Sequence, residues 1–166
     1  MPPYSFVPGG PWPHPISSPQ GHSHAEKASV CDPISEDDWR KSPTYLHGIA
    51  LFNAGYYWEA HEAWETLWHA HGRKGPIASV LQALIKVAAA GVKVRQQQQH
   101  GIVTHALRAA ALFESTRQCG IPKRLGLDLE AMAQIARSIA VEPHAPSGTL
   151  EDRVFRVFRF ELEPRD

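Results

Sequence analysis

The residues of this chain best suited to chemistry fall in one run, Phe52-Asn-Ala-Gly-Tyr-Tyr-Trp-Glu-Ala-His-Glu-Ala-Trp-Glu-Thr-Leu-Trp68. On a helix over residues 57–71, at about 100° per residue, Glu62, Glu65 and His69 form one stripe of oxygen and nitrogen donors. Glu-x-x-Glu with a histidine could hold a divalent ion, as carboxylate sites in helical bundles do. In that reading the protein is a metal-dependent hydrolase with Glu62, Glu65 and His69 as ligands and His61 or His105 as proton shuttle. Trp58 and Trp68 flank the stripe, and Tyr57 and Trp64 complete an aromatic lining. The competing reading makes Glu62 and Glu65 structural carboxylates tied to basic residues of neighbouring helices. Lys86 is a lone charge inside the apolar run Val80–Ala90, and His105 and Arg108 lie at i, i+3 where they could reach the same face. A buried network of that kind predicts that Glu62→Ala or Glu65→Ala destabilises by about 3–5 kcal/mol, by stranding a partner charge.

The motifs on either side of this choice are incomplete. His61-Glu62-Ala-Trp-Glu65 lacks the second histidine of the zincin pattern. No Glu-x-x-His lies on another helix, as a di-iron bundle would require. A Gly-rich phosphate loop, a nucleophile elbow and a Cys/His dyad are absent from the sequence. Gly21-His-Ser-His24 reads as a solvated loop, and His47, His71 and His144 join no constellation. The cluster is therefore expected to be a polar network with no cofactor.

The elements that must position these residues are helices. Lys+Arg and Asp+Glu each number 17 in 166 residues, so the formal net charge is zero. That balance argues against nucleic acid or an anionic membrane as partner. Cys31 and Cys119 have no metal or redox spacing, and with no signal-like leader they suit a cytoplasmic protein. The most apolar stretch, Ile77–Val94, is interrupted by Gln82, Lys86, Gly91 and Lys93 and reads as too short and polar to span a bilayer. Residues 1–33 hold 8 of the 14 prolines, which excludes regular helix. Tyr4, Phe6, Trp12 and Ile16 within them suggest an extended arm lying across the core. A helical domain at 34–142 follows, and then a tail at 143–166 in which Phe158, Phe160 and Leu162 alternate with charges.

Ser42-Pro43 is an N-cap followed by proline at the first helical position. Helices are expected at 43–54, 57–71, 77–98, 102–119 and 128–140, punctuated by Gly55, Gly72, Gly101 and Gly120. Gly55-x-Tyr57-x-x-Ala60-x-x-x-Trp64-x-x-Leu67, with Gly48 before it, fits the second half of a tetratricopeptide unit; a weaker copy surrounds Ala106 and Phe113. Two such hairpins imply an all-α compact bundle of about five helices. The function this favours is a non-enzymatic module binding a protein, a peptide or a small ligand, in a groove that the arm could fill.

The run Phe52–Trp68 closely resembles the signature of a family of small prokaryotic helical proteins, the domain of unknown function numbered 309. Phe52, Asn53, Gly55, Tyr57, Glu59, Ala60, His61, Glu62, Trp64, Glu65 and Trp68 match its hallmark. A second block, Leu81-Gln-Ala-Leu-Ile-Lys-Val-Ala88, is similar to the family's, with Ala83 for Gly and Lys86 for Gln; a third, around Gly101, is loose. The resemblance covers about 45–115 and implies an all-α bundle without bringing an established activity.

Overall fold

A computed structural model describes residues 1–25, 31–120, 122–142 and 148–165; His144 lies outside them. The Ser42 hydroxyl accepts from Tyr45 N at 3.3 Å and Pro43 opens α1 (Pro43–Asn53), the capping that the sequence specifies. Gly55, at φ 93°, turns the chain into α2 (Tyr57–Ala70). Then come α3 (Pro76–Arg95), α4 (Gln99–Gln118) and α5 (Leu129–Val141), whose first turn is capped by Asp128 Oδ1 accepting from Glu130 N and Ala131 N. Each helix packs on the next in chain order. The described residues form an all-α bundle of five α-helices, preceded by a single 3-10 turn at Trp39–Lys41.

Three local features depart from expectation. Helix α3 stops at Arg95, so Gly101 sits in the first turn of α4, where a Cβ would meet the Lys93 stem at 2.9 Å. A two-stranded antiparallel ribbon, β1 (Lys123–Arg124) with β2 (Leu127–Asp128), precedes α5. Leu125 and Gly126 turn it at φ 53° and 75°, a reversal carried by two left-handed residues rather than by any apolar alternation. Finally, α3 is long and apolar enough to cross a membrane, with a mean hydropathy of 1.7 over its best window, contrary to the reading of that stretch as too short and polar. In this fold it is the central core helix, burying Val80, Leu81, Leu84, Val87 and Ala88 completely.

The seam between α1 and α2 is set by one close approach. Trp64 is fully buried, and a Cβ on Gly48 would lie 2.3 Å from its Nε1. Only glycine lets the indole lie flat against the α1 backbone. Phe52 then tilts against Trp64 at 6.0 Å, and Tyr57 meets Phe52 edge-on at 5.2 Å.

Both terminal segments dock on this helix pair. Asn53 Nδ2 donates to Leu162 O at 2.9 Å, and its Oδ1 accepts from Leu162 N at 2.8 Å, so one side chain satisfies a whole backbone unit of the tail. The Tyr57 hydroxyl accepts from Val157 N at 2.9 Å, while Phe158 stacks on Phe52. A Cβ at Gly55 would meet Phe155 O at 2.9 Å. The tail forms no strand; its alternation puts Phe158 and Leu162 inward and Arg159, Glu161 and Glu163 outward. On the other side, Tyr4, Ser5, Phe6 and Val7 are buried. Glu59 holds them: its carboxylate accepts from Phe6 N at 2.8 Å and Ser5 Oγ at 3.0 Å, with His22 Nε2 at 3.4 Å. Phe6 and His14 pack edge-on against Trp58.

Two outcomes follow from these clamps. Asn53→Ala strands the Leu162 amide and carbonyl and should cost about 1–3 kcal/mol; hydrogen exchange at residues 157–162 should rise first, whereas a uniform rise across all five helices would contradict a local clamp. Glu59→Ala strands two arm donors, so limited proteolysis should cut within residues 1–25 before any helix is lost. Unchanged cleavage would show that Glu59 does not hold the arm.

Candidate functional site

The sequence of α2 distributes its residues around four sides. Ala60, Trp64 and Leu67 are fully buried in the bundle. Tyr57, at the N-terminal end, holds the tail. Glu59, which a helical wheel alone places toward solvent, is 8% exposed and holds the arm. The remaining side carries His61, Glu62 and Glu65, all half-buried. One donor atom from each lies within 4.8 Å of the others, and His61 Nε2 is 3.7 Å from Glu65 Oε2.

This set differs from the stripe of Glu62, Glu65 and His69. Seven residues of helix rise about 10 Å, so the ends of an i, i+3, i+7 set cannot reach one ion without long side chains bending back. His61, Glu62 and Glu65 span little more than one turn and converge. His69 is exposed, with its ring 5.4 Å from Trp68, over which Arg73 also lies.

The basic residues expected to seal this face do not do so. Lys86 is half-buried, Arg108 is exposed, and among the described residues neither forms an ion pair with Glu62 or Glu65. Burial holds the Glu62 carboxyl above its ordinary range, and repulsion from Glu65 and Glu59 pushes the same way. Burial holds the His61 imidazole below its usual range; Glu65 opposes this and Lys86 adds to it. His105 is likewise held down by burial and then by Lys86, Lys93, Arg108 and His61, and its Nδ1 is buried without a hydrogen-bond partner. Trp58 lies parallel to the His61 ring at 6.0 Å, and its Nε1 is also buried and unpartnered. The face therefore presents two close carboxylates, a neutral-leaning imidazole and an aromatic wall. It is not a closed brace.

Glu62 also opens on the opposite flank. A cleft of about 830 Å³ separates the arm from α1 and α2, with Glu59, Glu62, His69, His47, His22 and Trp58 in its walls. The arm supplies one side through Pro15, Ile16 and His22. Tyr56 bridges to it by donating from its hydroxyl to Pro2 O at 2.9 Å.

Several residues that carry the architecture were not singled out by sequence reasoning. Asn53 and Glu59 were visible only as parts of a resemblance. A polar side chain in an otherwise packing-dense motif was the available signal, but its partners lie 109 and 54 residues away. Arg95, 5% exposed at the end of α3, is buried against the segment 148–152.

No curated protein and no solved structure matches the chain. Residues 45–105, from within α1 to the start of α4, match the model of the family described as Domain of unknown function (DUF309).

Proposed function

We propose that the protein is a binding module that takes a small cationic or N–H-rich ligand in the cleft between the arm and α2, with Glu62 as its receiving group. One observation carries this reading: Glu62 is a half-buried carboxylate with no basic partner among the described residues, repelled by Glu65 and Glu59, in the wall of a cleft of ligand size. Such a charge destabilises the fold unless something outside the chain neutralises it. A small ligand fits better than a peptide, because the extended-chain grooves on α1 and α2 are already filled by residues 4–7 and 155–162. The close Gly48–Trp64 seam supports a tetratricopeptide-like pairing of α1 with α2, used here to hold the chain's own segments.

The sign of the stability change distinguishes this from a structural brace. A carboxylate whose folded-state pKa is raised contributes stability that is full below the unfolded pKa and lost as pH rises through the folded value. Ligand-free Glu62→Gln should therefore melt above the wild type at pH 7, and the difference should vanish below about pH 4.3, where glutamate is protonated even unfolded. A brace predicts a large loss instead. In thermal-shift titrations, putrescine or agmatine should stabilise the wild type and leave Glu62→Gln unmoved; equal shifts in both would remove Glu62 from the site.

A second reading rests on a separate observation, the convergence of His61, Glu62 and Glu65. A divalent cation there would neutralise the same repulsion, with His61 kept neutral and so able to ligate. His105 would be the nearby proton carrier if the ion supports hydrolysis. Calorimetric titration of tag-free protein with Zn²⁺ or Mn²⁺ should then show binding abolished by Glu65→Ala and untouched by His69→Ala. Binding that depends on His69 would point back to the longer stripe.

A further inference from the structure

The C-terminal end of α3 holds a buried positive charge that no ion pair among the described residues meets. Arg95 is 5% exposed. Its Nη2 donates to the backbone carbonyls of Thr149, at 2.9 Å, and Asp152, at 2.8 Å. Its Nε and Nη1 are buried with no hydrogen-bond partner, which leaves three of the five guanidinium N–H groups unmet. The charge of Asp152 favours the Arg95 cation, but its carboxylate is hydrogen-bonded elsewhere. Its Oδ2 accepts from Thr149 N at 2.6 Å and from Thr149 Oγ1 at 3.4 Å, and no ion pair to Arg95 forms. A buried guanidinium with unmet donors and no direct ion pair is rare in folded proteins.

Beside it lies a recess of about 470 Å³, walled by Arg95, Gln96, Gln97 and residues 148–151, which shares no lining residue with the cleft at Glu62. We infer that this recess is a binding site for a small oxyanion, a carboxylate or a phosphate group, with the Arg95 guanidinium as its receiving charge. A water molecule could accept one of these hydrogen bonds but would leave the charge in place; an anion meets both needs. Glu151 in the recess wall opposes the anion and is exposed, so it sets the affinity without being part of the receptor. The site lies where three parts of the chain meet. Arg95 grips the segment 148–152, Gln96 Nε2 donates to Pro8 O at 2.8 Å, and Ser5 N donates to Arg153 O at 2.7 Å. A bound anion would thus tie both terminal segments to α3.

The test is calorimetric titration of the full chain with inorganic phosphate and with acetate, at constant ionic strength in chloride. Saturable binding of either is expected, and the tighter of the two assigns the ligand class. Glu151→Gln should strengthen binding by about threefold, by removing a like charge in solvent-exposed surroundings. Arg95→Lys, which keeps the charge and loses the fork, should weaken it by about tenfold. Absence of saturable binding by both anions overturns the inference. So does an affinity unchanged by Glu151→Gln, a surface variant that leaves the bundle intact and keeps the result decisive should Arg95→Lys unfold.

Discussion

The approach of Trp64 to the backbone at Gly48 is the contact on which the rest depends. It brings α1 and α2 close enough for a fully buried indole to fill the space that a side chain would otherwise occupy. With that distance set, Phe52 and Tyr57 pack edge-on at the turn, and Asn53 and the Tyr57 hydroxyl are left facing one groove. On the far flank the same geometry directs Glu59 toward the arm. The motif is thus less a site than a hub, with each successive residue committed to a different neighbour.

The parts of this fold governed by local rules were legible in the sequence. Ser42-Pro43 announced the start of α1, Gly55 the turn, and the spacing of Ala60, Trp64 and Leu67 the buried side of α2. What was not legible depended on partners distant along the chain. A helical wheel gives Glu59 a direction, but it cannot know that residues 4–7 return to cover that direction. The ligand stripe ending at His69 failed because alignment on a wheel ignores the rise along the axis. The expected partners of the acidic face failed for a different reason. A lysine such as Lys86 can lay its carbon stem on apolar surface and carry its head elsewhere, so a lone charge in an apolar run does not name its partner.

Charge placement separates the polar groups for which the fold supplies partners from those for which it does not. Glu59 is buried deeper than Glu62, yet it is supplied with an amide, a hydroxyl and an imidazole. Tyr45 is buried and donates to Leu125 O at 2.9 Å, and Asn53 satisfies both sides of one peptide unit. Glu62, Arg95 and His105 are not provided for in this way. The indole N–H groups of Trp12 and Trp58 and Arg124 Nε are also buried without a partner, and each unmet group lowers the stability margin that the others maintain.

The Asn53–Leu162 clamp also bears on the order of folding. It closes a separation of 109 residues, and the Ser5–Glu59 contact closes one of 54, whereas each helix packs on its immediate neighbour in the chain. Short-range contacts form early because little loop entropy opposes them; long closures wait until the surfaces they join exist. The five helices should therefore assemble first, leaving a transient bundle with the Phe52–Tyr57 groove and the Trp58 surface uncovered. Two polypeptide straps then close over it in a late step. In that interval the most hydrophobic part of the motif faces solvent, which makes the straps a safeguard against self-association as well as a part of the finished structure.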